Sequence, residues 1–93
     1  MPFGGKAREY NRNNVLALNP NQMGVYGLFK PNRWVYIGSG DIRQRLLDHL
    51  NGDNPCIARE APTHWIDEVT ANYISREKEL MIEYNPICNR QVG

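Results

Sequence analysis

Hydrophobic positions alternate or cluster in three short stretches of the chain and recur at helical spacing in two others. Met23 to Lys30 and residues 34–37 are rich in β-branched and aromatic side chains and are separated around Pro31-Asn32, so they predict a hairpin. Gly38-Ser39-Gly40 is expected to break the second strand. Asp41 then stands as an N-cap before residues 42–50, where Ile42, Leu46, Leu47 and Leu50 form an apolar arc. Asn51-Gly52-Asp53-Asn54-Pro55 ends that helix, and residues 56–60 predict one short helical turn. Residues 63–70, with Trp65, Ile66 and Val69 among threonines, predict a third strand. Asn72 or Ser75 caps a last helix to about Tyr84, where Asn85-Pro86 stops it because proline cannot continue the ladder. The order β-β-α-(α)-β-α describes an α/β (α+β) fold: a central three-stranded, mainly antiparallel sheet flanked by helices. Residues 1–21 lack periodicity and are expected to form a loosely held arm. In it Asn11-Arg12-Asn13-Asn14 reads as loop, and Val15-Leu16-Ala17-Leu18 as an apolar piece that docks on the domain of residues 22–93.

Composition changes this picture little. A chain of 93 residues, 41% hydrophobic and 23% charged, can build one modest core. No apolar run approaches the ~20 residues of a membrane span, and no signal-peptide core opens the chain, so no membrane partner is expected and a cytoplasmic location is the default. Cys56 and Cys88 lack metal-type spacing and read as reduced thiols. The net charge of +1 gives no sign of the clustered basic surface that phosphate backbones attract.

Candidate chemistry enters through side chains that break the apolar pattern. On a wheel of 100° per residue, Glu77 lies in the middle of the last helix's apolar stripe, with Tyr73, Leu80 and Tyr84 on one side and Ile74 and Met81 on the other. A carboxylate there needs an arginine, a hydrogen-bond donor or a metal; a buried ion pair and a functional site are both open. Glu79 and Glu83 fall on the solvated face. Arg45 and His49, one turn apart, flank the apolar arc of the first helix, where a guanidinium can clamp a phosphate or simply lie over the sheet. Tyr26 and Tyr36 share a sheet face only if the hairpin connection has odd length, which predicts a turn other than the tight two-residue type. Strand tyrosines are more commonly half-buried packing residues.

Together these residues resemble the GIY-YIG nucleases. Gly24-Val25-Tyr26 followed by Tyr36-Ile37-Gly38 is similar to the paired signature that names the family, with Val25 for the usual isoleucine. The helix bearing Arg45 and, four on, His49 resembles the next block, after a turn one residue shorter than in many members. Glu77, the apolar pair Leu80-Met81 and Pro86-Ile87-Cys88-Asn89 resemble the closing block. The likeness covers roughly residues 22–89, and three blocks in order are more specific than the first alone.

The resemblance implies a small GIY-YIG-type domain acting as a metal-dependent endonuclease on nucleic acid, DNA before RNA, leaving a 5′-phosphate and a 3′-hydroxyl. It implies that Glu77 holds one Mg²⁺ or Mn²⁺ ion. Tyr26 would activate or orient the attacking water, Arg45 would neutralise charge at phosphorus, Tyr36 and His49 would position phosphate and water, and Asn89 would brace the site. Arg43 and Lys30 join Arg45 as the side chains expected to touch nucleic acid. Tyr26, Tyr36, Arg45, His49 and Glu77 are expected on one concave surface of the sheet. The chain is nearly the bare module, so a targeting protein subunit is a further expected partner. The rival reading is a binding module of the same fold that has lost turnover.

Overall fold

The computed structural model describes residues 2–89. Its elements in chain order are β1 (Arg8–Glu9), α1 (Arg12–Leu16), β2 (Met23–Lys30), β3 (Arg33–Asp41), α2 (Ile42–Leu50), α3 (Pro55–Glu60), β4 (His64–Val69) and α4 (Tyr73–Tyr84), then a 3₁₀ turn at Ile87–Asn89. The sheet is antiparallel throughout and has four strands in the order β1-β4-β2-β3, which corrects the expected three. The extra strand is only Arg8–Glu9, paired to Trp65 and His64, too short to leave a periodic signal.

The polar run after it is also corrected. Asn11 to Asn14 is no loop but the cap and first turn of α1, with the Asn11 side chain accepting from the Asn14 N–H at 2.8 Å. Asparagine competes with the backbone inside helices and satisfies it at their starts, so the same residues that suggest a loop serve as a cap. Val15 is fully buried in the core, and the Tyr10 hydroxyl donates to the Leu46 carbonyl at 2.8 Å, tying this segment to α2.

Two strand expectations fail for instructive reasons. β3 runs through Gly38-Ser39-Gly40 to Asp41, because Met23, Gly24 and Val25 remain available as partners for Asp41, Gly40 and Ser39. The hairpin loop is the tight two-residue Pro31-Asn32, not an odd-length one. Both loop residues keep negative φ, as proline demands, so the turn cannot take the primed form whose twist suits a hairpin. A bulge compensates: Phe29 pairs with Trp34 and Leu28 with Tyr36, leaving Val35 as one extra residue. That residue shifts the parity of β3, and Tyr26 and Tyr36 share a face after all, ring centroids 6.3 Å apart.

The two sheet faces carry separate cores. Tyr26, Leu28 and Trp65 pack with Ile42, Leu46 and Ile57 beneath α2 and α3. Val25, Ile37 and Leu80 pack beneath α4 with Phe3, Tyr73, Met81 and Tyr84. Cys56 and Cys88 form a disulfide, their Cα atoms 5.7 Å apart, which corrects the reduced-thiol expectation. The tertiary fold brings the start of α3 against the closing 3₁₀ turn, a proximity that spacing along the chain cannot reveal.

Candidate active site

The site begins with the hairpin. Tyr26 lies opposite Gly38, and Tyr36 opposite Leu28, on the face that α2 covers. A Cβ at Gly38 would sit 2.3 Å from the Tyr26 hydroxyl and 2.9 Å from the Tyr36 ring, so only glycine lets both phenols lie across the strand. The Tyr26 hydroxyl is 2.7 Å from His49 Nε2, and His49 Nδ1 is 2.7 Å from Asp53 Oδ1. An ionised carboxylate only accepts, so Nδ1 carries the proton, Nε2 is the acceptor and Tyr26 donates to it. The Arg45 guanidinium lies 3.5 Å from Asp48 and bears electrostatically on the Tyr26 hydroxyl.

Burial governs the electrostatics here. It pushes the Tyr26 phenol well above its ordinary range, a shift that Tyr36 adds to and Arg45 opposes. Tyr36 is raised by burial and then by the Glu77 carboxylate, again against Arg45. His49 is lowered by burial despite Asp53, so the imidazole is neutral near pH 7. Arg45 is raised, chiefly by Tyr26, and stays charged.

Glu77 arrives from the other side. α4 packs on the Val25–Ile37 face, and Glu77 reaches the Ser39 hydroxyl, which donates to its Oε1. Because β3 is an edge strand, Glu77 still bears on Tyr26 and Tyr36 electrostatically, as does Arg45 from α2. Asn89 clamps the same strand, accepting from the Ile37 N–H at 2.7 Å and donating to the Ile37 carbonyl at 2.9 Å.

Tyr26, Tyr36, Arg45, His49, Glu77 and Asn89 are thus brought to the second half of β3. They do not share one sheet surface as expected: Arg45 and Glu77 come from helices on opposite faces and flank the edge strand. Tyr26 is also fully buried, so its hydroxyl meets side chains rather than solvent, whereas Tyr36, Arg45 and Glu77 are partly exposed. Lys30 is not part of the cluster. It lies at the turn end of the hairpin, bonded to the Glu60 carbonyl at 2.8 Å and paired with the Glu60 carboxylate at 3.2 Å. Arg43 sits two residues before Arg45, hence about 200° around α2. Its Nε is buried without a partner among the described residues.

Ser39 and Asp53 are the residues that the sequence did not single out. Ser39 read as part of a strand break, and Asp53 as a turn residue; the spacing of four from His49 was its one available signal.

No group of three or more His, Cys, Asp or Glu side chains forms a metal cage among the described residues. Glu77 is a hard oxygen donor with about four lone-pair directions, of which Ser39 takes one. A single carboxylate suits Mg²⁺, which keeps several waters and shares its shell with substrate phosphate. No helix among the described residues is long and apolar enough to cross a membrane. No protein-family model, curated protein or solved structure matches the chain.

Proposed function

We propose that this chain is a GIY-YIG-type endonuclease that hydrolyses phosphodiester bonds in nucleic acid, DNA rather than RNA, to 5′-phosphate and 3′-hydroxyl ends. In this reading β2, β3 and β4 are the three-stranded family core and β1 is an addition to it. The observation that carries the reading is the gathering of an arginine, a partly exposed tyrosine and a carboxylate around one strand edge, drawn from three sequence blocks far apart in the chain.

Arg45 meets the phosphate and offsets the charge that grows on its oxygens in the transition state. Tyr36 orients phosphate or water from the same edge. Glu77 would hold a Mg²⁺ or Mn²⁺ ion, which supplies Lewis acidity toward the phosphate when bound. Tyr26 and His49 form the floor of the site: buried, neutral and hydrogen-bonded, they hold Arg45 rather than touch the attacking water. This assigns Tyr26 a supporting role in place of the water-activating role that the resemblance implies. Asn89 keeps β3 in place.

The second reading, a nucleic-acid or protein binding module without turnover, is favoured by one specific observation: Tyr26 is sealed from solvent. A third arrangement, a nuclease subunit delivered by a partner protein, accords with the net charge of +1. The deciding experiment is a cleavage assay with Mg²⁺ or Mn²⁺ on single-stranded, duplex, flapped and branched DNA and RNA, with Glu77→Ala as control. Metal-dependent products from wild type alone support the nuclease. Binding without products in any metal supports the module.

A further inference from the structure

We infer that the cavity at the turn end of the β2–β3 hairpin is a stacking subsite for unpaired bases of a single nucleic-acid strand. The inference rests on the endonuclease reading and names its substrate class: nucleic acid with a single-stranded segment beside the scissile phosphate.

The cavity measures about 820 Å³ and is lined by Phe29, Trp34 and Tyr84 together with Asn32, Arg33 and Asn85. Trp34 is its centre, with its ring centroid 4.2 Å from Tyr84 and 4.8 Å from Phe29. All three rings are half-buried, so each keeps some surface for a ligand. Aromatic faces interleaved with polar groups suit a flat ligand that is apolar on its faces and polar at its edges. Asn32 and Asn85 each offer both a donor and an acceptor, as a base edge requires. Lys30 and Arg33 share the Glu60 carboxylate, at 3.2 and 3.5 Å. Two cations on one carboxylate leave one positive charge over, and the half-exposed Arg33 brings it to the cavity wall, where it complements a phosphate. Inside a duplex each base face is covered by its neighbours, so only an unpaired base presents a face to these rings.

The cavity is also in line with the candidate site. Tyr84 follows Glu77 by seven residues, two turns of α4, which returns it to nearly the same side roughly 10 Å along the helix axis. Trp34 and Ser39, the partner of Glu77, both belong to β3. One strand laid along α4 and β3 covers the distance from Glu77 to the rings in about three stacked steps of ~3.4 Å per nucleotide.

The test uses the full chain without metal, so that it does not depend on cleavage. Trp65, the other tryptophan, is fully buried, so quenching of tryptophan fluorescence by an added strand reports on Trp34. Oligothymidylate should quench it. An abasic deoxyribose-phosphate chain of the same length and charge should bind roughly tenfold more weakly, the scale of one lost stacking contact. Trp34→Ala should weaken oligothymidylate binding by a similar factor, read by polarisation of a labelled strand. Arg33→Ala, at an exposed position, should leave the fold intact and lower the slope of log affinity against log salt by about 0.7, one phosphate on a single strand. Equal binding of the abasic and base-bearing strands, an unchanged salt slope in Arg33→Ala, or stronger quenching by a proline-rich peptide than by oligothymidylate overturns the inference. Should wild type cleave nothing in any metal while strand binding is as stated, the endonuclease reading falls and the subsite stands. Should it cleave duplex and single-stranded DNA alike, with Trp34→Ala unaffected, the endonuclease reading stands and the subsite falls.

Discussion

Two clusters of charged and polar side chains flank this sheet, and they use similar residues to opposite ends. Beneath α4, Arg76 bonds Glu68 through Nε at 2.8 Å and Nη2 at 3.0 Å, pairs with Glu79, and donates to the Pro2 carbonyl at 2.8 Å. Each partner there favours the other's charge: Arg76 pulls Glu68 below its ordinary carboxylate value, and Glu68 raises Arg76. Beneath α2, Tyr26 is bonded to His49 and His49 to Asp53, and there burial outweighs every partner and drives Tyr26 and His49 toward neutrality. The first arrangement is an ion cluster within reach of water that fastens the N-terminal segment to β4 and α4. The second keeps neutral, poised groups dry beneath one charged arginine. What separates a fastening from a candidate site is whether burial outweighs the charged partners, not the residue types.

The sharpest way to separate the two is to substitute Glu77 and Arg45 at the candidate site and Arg76 in the ion cluster. Glu77→Ala should lower metal-dependent cleavage by roughly 10³-fold or more while nucleic-acid binding is retained, because the loss falls on transition-state charge. Arg45→Ala should lower both turnover and binding. Arg76→Ala should leave cleavage unchanged and cost about 1 kcal/mol in denaturant unfolding, the scale of a partly exposed ion pair. Equal activity losses for Glu77→Ala and Arg76→Ala would erase the distinction.

A steric probe comes next. Gly38→Ala places a Cβ 2.3 Å from the hydroxyl of the buried Tyr26 ring and 2.9 Å from the Tyr36 ring. It should destabilise by roughly 1–3 kcal/mol, as overpacking does, and should shift the His49 ring signals. Gly52→Ala meets no atom within 4 Å but sits at φ +84°, so it should cost about 1 kcal/mol through backbone strain alone and leave His49 nearly untouched.

The two clusters should also titrate apart. His49 is depressed below its ordinary 6.5, so the unfolded chain takes up that proton first. Its contribution is present above pH 6.5 and is lost as pH falls from there through the lower native value, at up to about 1.4 kcal/mol per unit. Glu68 is depressed below 4.5, so its contribution holds above pH 4.5 and is lost only in stronger acid. Unfolding measured between pH 7 and 5 should show the first slope, and His49→Gln should flatten it. The smallest effect belongs to Glu79→Ala, half exposed on α4, which should change neither cleavage nor the His49 signals.

Local chemistry made much of this molecule legible. The Asp41 cap, the αL stop at Asn85 before Pro86 and the strand runs all leave signatures within a few residues, and each is present. The wheel on α4 found Glu77 but overreached at Ile74, which is 69% exposed: the packed arc ends with Tyr73 and Met81. Tyr36 reaches the face of Tyr26 by way of the extra residue Val35 and not of an odd-length loop, because the ladder is not regular. Ser39 stayed hidden because Glu77 reaches it by tertiary approach, and Asp53 because it lies past the end of α2, where a spacing of four no longer fixes a shared face. Lys30 misled for the converse reason, its charge being taken up by Glu60 across the fold.

The link between Cys56 and Cys88 has a consequence for how the chain can be cut without falling apart. It closes a ring around most of α3, all of β4 and all of α4. Tyr26, Tyr36, Arg45, His49 and Asp53 precede the ring, Glu77 lies within it, and Asn89 follows one residue after its closing cysteine. A protease nick anywhere between residues 57 and 87 would therefore yield two peptides still joined by a covalent bond, one of them carrying the tyrosines and Arg45. On a gel such a nicked chain runs as one species until a reductant is added, and only then separates into its parts.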